Sequence, residues 1–259
     1  MQYFFFSYHK SGTDLCGGLA RRLAERFSWS RGTHLGLARQ IDPAKRIVAF
    51  AHSLIGFDLS RHPHKGVRII RDPRDIWLSG YLYHRRCNEA WCVHENFDLR
   101  PPILFPQVPY SQQHRPEDWK QDYIRGLGGM SYQRNLLALD QDAGLHFELQ
   151  RYAAWTIEAM LAWQPDPDTI DVKIEDFVAD FDGVLTRILG HFGLTEPAIA
   201  IALSACAPED IGRMTDAQLA ENPHIYARKL SKWRDMLTQA QLESFSALHG
   251  SAIKSLGYE

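Results

Sequence analysis

Tyr3-Phe4-Phe5-Phe6, near the start of the chain, is an aromatic run with no strongly polar member. Such a run predicts a short strand buried on both faces of a parallel sheet. It gives way to Ser7-Tyr8-His9-Lys10-Ser11-Gly12-Thr13, after which Leu15, Leu19, Leu23 and Phe27 recur every fourth residue. That period predicts a helix with one apolar stripe, so the opening reads strand, tight loop, helix. Ile47 to Ala51 predicts a second buried strand, ending at His52, and Val67 to Ile70 a third, ending at Arg71. Asp72-Pro73-Arg74-Asp75 then starts a helix that runs to about His84. Asp72 suits the N-cap, Pro73 the first helical position and Asp75 the acidic first turn.

Between about Arg85 and Gly129 the pattern breaks. Pro101, Pro102, Pro106, Pro109 and Pro116 fall within sixteen residues and exclude a long regular element there. Flanked by Trp91 and Trp119, the segment reads as an insertion over the acceptor side of one domain spanning 1–259. Helices are predicted at 131–142 and 151–164. Ile170, Val172 and Ile174 alternate as a strand should, and Val184, Leu185, Ile188, Leu189 and Phe192 mark a helix closed by Gly193. Thr195 caps a further helix with Pro197 in its first turn, and Thr238 to Gln241 is a capping box before Leu242, Phe245 and Leu248. Strands alternating with helices predict a three-layer α/β/α fold around a mainly parallel sheet.

Composition narrows the class. Apolar residues at 45% and charged residues at 23% of 259 support a substantial core and argue against disorder or coiled coil. Four cysteines are too few for a disulfide scaffold. No run approaches the roughly 20 apolar residues of a membrane helix, and Met1 to Lys10 lacks the order of a secretory signal. The expectation is a soluble, cytoplasmic protein with no membrane partner.

Lys and Arg number 29 against 31 Asp and Glu, a net charge of −2, which argues against nonspecific coating of nucleic acid. The cations are nonetheless gathered. Arg61, Lys65, Arg68, Arg71, Arg74, Arg85 and Arg86 face only Asp72 and Asp75 between 61 and 86, and Arg228, Lys229, Lys232 and Arg234 stand together without an acid. Three strand ends hold Lys10, His52 and Arg71, and ligands of such sheets bind beyond the carboxyl ends of the strands. Lys10-Ser11-Gly12-Thr13 sits where loop amides and a helix N-terminus converge, a setting for phosphate or sulfate. It lacks the two glycines of the nucleoside-triphosphatase loop.

On these residues the chain resembles the sulfotransferase family. Tyr8-His9-Lys10-Ser11-Gly12-Thr13 looks like that family's 5′-phosphosulfate loop, with His9 where the family commonly has proline. Ile69-Ile70-Arg71-Asp72-Pro73-Arg74-Asp75-Ile76, with Ser79 eight residues after Arg71, looks like its 3′-phosphate segment. Arg228-Lys229 and Trp233-Arg234 resemble its C-terminal basic loop, and Lys173 to Phe177 through Gly193-Leu194 its late strand-helix segment. The resemblance implies a metal-free enzyme using 3′-phosphoadenosine 5′-phosphosulfate, with a small-molecule or carbohydrate acceptor sulfated on a hydroxyl or amine. Lys10, Ser11, Gly12 and Thr13 would hold the 5′-phosphosulfate, and Arg71, Ser79, Arg228 and Lys229 the 3′-phosphate. Lys10 would stabilise the bridging oxygen and His52 would be the general base, with Asp14 second in line. Asp14-Leu15 stands where many relatives have threonine and tryptophan, so the usual adenine-stacking ring is absent.

A magnesium- and ATP-dependent phosphotransferase and a non-catalytic nucleotide-binding relative are the competing readings. His84, Cys87, Cys92 and His94 carry the atoms of a zinc site at an unusual spacing and read as ordinary thiols and an exposed pair of histidines. Cys16 reads as a core thiol, and Trp155 and Trp163 as packing residues on one helix. Trp91, Tyr110 and Trp119 would shape the acceptor pocket.

Overall fold

The computed structural model describes residues 1–95, 106, 117–221 and 230–259. Its strands are β1 (Gln2–Phe6), β2 (Arg31–Ala38), β3 (Ile47–Ile55), β4 (His64–Ile70) and β5 (Thr169–Lys173). The first helices are α1 (Thr13–Phe27), α2 (Pro73–His84), α3 (Ala90–Val93), α4 (Glu117–Gly126), α5 (Tyr132–Ala138), α6 (Gln141–Glu148) and α7 (Ala154–Leu161). They are followed by α8 (Ile174–Ala179), α9 (Phe181–His191), α10 (Glu196–Cys206), α11 (Asp216–Glu221), α12 (Trp233–Met236) and α13 (Gln239–Ser255). The protein is α/β, with a central parallel sheet and flanking helices, as the alternation of elements predicts. No helix among the described residues is long and apolar enough to cross a membrane.

The chain forms two compact units, 1–71 with 162–230, and 72–161 with 231–259. The first contains the whole sheet, in the order β2-β3-β1-β4-β5, every pair parallel. β1 is central because every one of its residues is apolar enough, or shielded enough, to be buried. Alternation splits its side chains between two clusters. Tyr3 and Phe5 join Leu19 and Leu23 of α1 and Leu185, Ile188 and Leu189 of α9, while Phe4 and Phe6 join Val48 and Phe50 on the other face. Cys16 is buried in the first cluster, as expected.

β2 is the strand that the pattern of the sequence does not reveal. It carries Arg31, Thr33 and His34 among glycines, and Arg31, Thr33 and Leu35 are exposed, because it is an edge strand whose pairing rather than its hydrophobicity holds it. Its presence corrects the second predicted strand, which does not end at His52. β3 continues to Ile55 because Leu37 and Ala38 of β2 pair with Leu54 and Ile55 after a register shift. Ile174 likewise begins α8 and is not part of β5.

In the second unit α2 spans the predicted residues, with Asp72 Oδ1 accepting the Arg74 amide at 2.9 Å. The single helix expected at 131–142 is two, because Asp140 caps α6 by accepting the Ala143 amide at 2.8 Å. The helix expected at 151–164 is α7 alone, preceded by a π turn over Leu149–Ala153. Trp163 therefore lies beyond the helix, in the first unit, where it packs on Phe6 at 4.8 Å and under Arg68 at 5.2 Å. Pro165 and Pro167 explain the early stop, since the residue before a proline is driven out of helical geometry. Within the predicted insertion, α3 and α4 are short regular elements, and Trp119 stacks on Tyr123 at 5.5 Å.

Candidate functional site

The loop after β1 is shaped by its own hydroxyls. Ser11 is fully buried, and its Oγ accepts the Tyr8 amide at 2.7 Å and lies 3.0 and 3.2 Å from the carbonyls of Tyr8 and Ile69. Thr13 Oγ1 donates to the Tyr8 carbonyl at 3.0 Å. Both hydroxyls, expected to face a ligand, are thus spent inside the loop. What the loop offers instead is the first turn of α1, whose amides have no intrahelical carbonyl to bond. A fifteen-residue helix beginning there adds its dipole, which favours an anion.

Two residues of the loop have left-handed backbone, Lys10 at φ 58° and Gly12 at φ 103°. At Gly12 a Cβ would also stand 2.9 Å from Ile174 Cδ1. Gly12→Ala is expected to cost about 1–3 kcal/mol, a strained φ combined with overpacking. Chemical denaturation would measure it, and an unchanged midpoint would remove the case for glycine.

Arg71, the residue after β4, is buried, and its Nη1 donates to the Lys10 carbonyl at 2.8 Å. The register explains the meeting. Phe6 pairs with Arg68 across β1 and β4, so the chains leaving these neighbouring strands emerge side by side. The order β3-β1-β4 also makes β1 the point where the topology switches direction, the usual place for a ligand crevice.

His52 lies within β3, at φ 53°, opposite Gly36 at φ 72° where the β2–β3 register slips. Such a bulge re-aims one side chain without ending the strand. Its neighbour Ser53 ties it to the loop: the Ser53 amide donates to the Ser7 carbonyl at 2.8 Å, and the Ser7 amide donates to Ser53 Oγ at 3.0 Å. The His9 ring meets the His52 ring edge-on at 5.2 Å. Lys10, His52 and Arg71 are thus all anchored around one loop, through bonds that the sequence pattern does not show.

Ser79 belongs to α2 in the second unit, half-buried two turns into the helix. Arg228 and Lys229 lie outside the described residues, as does Tyr110. Asp75, read from the sequence only as a first-turn acid, accepts the amides of Ser231 at 2.5 Å and Trp233 at 3.2 Å. It therefore fixes the part of the C-terminal basic run that carries Lys232 and Arg234. Trp233 is flanked by the guanidinium groups of Arg74 at 3.8 Å and Arg234 at 4.3 Å.

The first unit also holds a cleft of ≈ 430 Å³ along α1, lined in part by Ser7, Thr13, Asp14, Gly17, Arg31 and Thr33. Among the described residues no three potential ligands group as a metal site. His84 is instead fully buried, with Nδ1 2.9 Å from Glu148 Oε2, which also accepts the Tyr132 hydroxyl at 2.9 Å. The Cys92 thiol donates to the His84 carbonyl at 3.5 Å, and the interaction between the two thiols brings Cys87 down to about 7 and raises Cys92.

No protein-family model matches the sequence, and no curated protein matches it. Among solved structures, the chain is similar to mouse sulfotransferase SULT7A1 complexed with PAP, at 16% identity and a TM-score of 0.52, covering 97% of this chain and 84% of that one. It also aligns with retinol dehydratase in complex with androsterone and inactive cofactor PAP, at 15% identity and a TM-score of 0.43, covering 98% and 80%. The first likeness shows that the chain has the fold of a sulfotransferase.

Proposed function

We propose that this protein transfers a sulfuryl group from 3′-phosphoadenosine 5′-phosphosulfate to a hydroxyl or amine. The observation that carries the reading is the bond from Arg71 Nη1 to the Lys10 carbonyl. It joins, in one folded unit, the residue that resembles the family's 3′-phosphate arginine and the loop that resembles its 5′-phosphosulfate loop. The donor set fits a polyanion: a guanidinium, an ammonium and the free amides of a helix start. The first-turn amides of α1 and Lys10 hold the 5′ end, and Arg71 takes the 3′-phosphate while bracing the loop. Ser11 and Thr13 act by holding the loop's shape. Ser79, Arg228 and Lys229 keep the 3′-phosphate role that the sequence resemblance implies.

The bound donor supplies a sulfuryl group already activated for displacement. His52 accepts the proton of the acceptor hydroxyl or amine as its oxygen or nitrogen bonds to sulfur. Lys10 stabilises the negative charge that builds on the bridging oxygen as its bond to sulfur breaks. Products are adenosine 3′,5′-bisphosphate and a sulfate ester or sulfamate. As in phosphoryl transfer, positioning and charge stabilisation account for most of the acceleration, so the chain's own residues need only align and neutralise.

Calorimetry with adenosine 3′,5′-bisphosphate, adenosine 5′-phosphate and ATP with magnesium tests the proposal. The bisphosphate is expected to bind at least tenfold more tightly than the monophosphate, about 1.4 kcal/mol for the 3′-phosphate, and to lose that margin in Arg71→Ala. Preference for ATP with magnesium would make the protein a phosphotransferase. Bisphosphate binding without transfer to any acceptor would leave a nucleotide-binding protein that lacks the chemistry.

A further inference from the structure

One stripe of α1 is unusual for a helix on a sheet. Asp14, Gly17, Gly18 and Arg21 follow one another at helical spacing and all line the ≈ 430 Å³ cleft. From Asp14 to Arg21 is two turns, about 10 Å. The opposite wall is the sheet: Arg31 and Thr33 of β2, with Ala49 and Ala51 of β3, where Thr33 pairs with Ala49. The cleft is open because its walls are small. Gly18 is needed for packing, since a Cβ there would strike the Glu209 carboxylate at 2.0 Å. Gly17 is different: a Cβ there would meet nothing within 4 Å. Glycine in the middle of a helix costs about 1 kcal/mol relative to alanine, so packing gives no reason for Gly17. An open space does.

The charges are sorted along the cleft. Thr13 and Asp14, with Ser7 nearby, mark the end next to the Lys10 loop. Arg21 is ion-paired, with Glu209 Oε1 accepting its Nη2 at 3.1 Å and the Nε of Arg22 at 2.9 Å, and with Glu25 4.0 Å from its Nη1. Arg31 is exposed, and its guanidinium has no ion-pair partner among the described residues. Among the described residues, the far end therefore presents the Arg31 guanidinium without an ion pair, and the loop end presents the Asp14 carboxylate.

We infer that this cleft is the acceptor site, and that it takes a small carboxylate carrying a hydroxyl or amine at its opposite end. The carboxylate meets Arg31, and the hydroxyl or amine lies toward Asp14 and Thr13, at the loop that holds Lys10. The volume lies within the range of small-molecule sites. This inference rests on the sulfuryl-transfer reading for the word acceptor, and on the cleft alone for the ligand's chemistry.

The probes are 4-hydroxybenzoate, 4-aminobenzoate and glucuronate, titrated by NMR into the full chain with and without adenosine 3′,5′-bisphosphate. Methyl 4-hydroxybenzoate is the neutral control. At least one of the three acids is expected to saturate, and for 4-hydroxybenzoate the ester should bind tenfold or more weakly. Gly17→Leu fills the cleft while favouring the helix, and Arg31→Ala removes the cation. Each should weaken acid binding at least tenfold and leave bisphosphate affinity within twofold. No saturable binding by any of the three acids, or binding that both variants leave intact, would overturn the proposal. A saturating acid that is not sulfated when the donor is supplied, although the protein sulfates another acceptor, would remove the cleft's acceptor role. Loss of bisphosphate binding by the unaltered protein, with acid binding intact, would sink the sulfuryl-transfer reading and leave the carboxylate site standing.

Discussion

His52→Asn is expected to lower kcat for sulfuryl transfer by about 10²–10⁴-fold, the range for loss of a general base. Asparagine is the informative replacement because position 52 has φ 53°, a left-handed conformation that asparagine tolerates better than other side chains. It keeps the bulge, and with it the Ser53–Ser7 bonds that set the end of β1. Bisphosphate affinity should therefore stay near that of the unaltered protein while turnover collapses. His52→Gly, which also accommodates the backbone, should regain part of its activity when free imidazole is added. Turnover within threefold of the unaltered protein in His52→Asn would take His52 out of the chemistry, and attention would pass to Asp14.

Lys10→Gly is expected to reduce kcat/KM by about 10²–10³-fold, the scale for removing one group aimed at developing charge. Glycine is chosen for the same backbone reason, since Lys10 sits at φ 58° and glycine adopts that conformation without strain. The carbonyl that Arg71 grips is retained in the variant, so the loop should hold its form. The effect on kcat should exceed the effect on bisphosphate affinity, because the charge that Lys10 meets is largest as the bond to sulfur breaks. Equal losses in both would mean that Lys10 only binds the donor, and activity within tenfold of the unaltered protein would exclude it from the mechanism.

Much of this could be read along the chain. The stripe of Leu15, Leu19, Leu23 and Phe27, the Asp72-Pro73 helix start and the Thr238 capping box are signals contained within one or two turns. So is the apolar run of β1. Lys10, His52 and Arg71 were identifiable as residues at the ends of buried runs. Where local reading failed, a partner distant in sequence had intervened. The breaks at Asp140 and before Pro165 are exceptions, since a cap spanning three residues and a proline both act locally.

Local composition was enough for the α/β alternation, the strand-loop-helix opening and the gathering of cations, because helix stripes, caps and buried strands each depend on neighbours a few residues away. Pairing between strands far apart in the chain decided the rest. β2 exists because β3 offers it hydrogen bonds, and the bulge that turns His52 follows from that pairing. Arg71 reaches Lys10 because β4 lies beside β1, and Ser11 is occupied because the Ile69 carbonyl arrives beside it. The cleft along α1 opens because an edge strand with exposed Arg31 and Thr33 stands opposite two glycines. Each of these depends on which segments become neighbours in space, and no window of sequence carries that information.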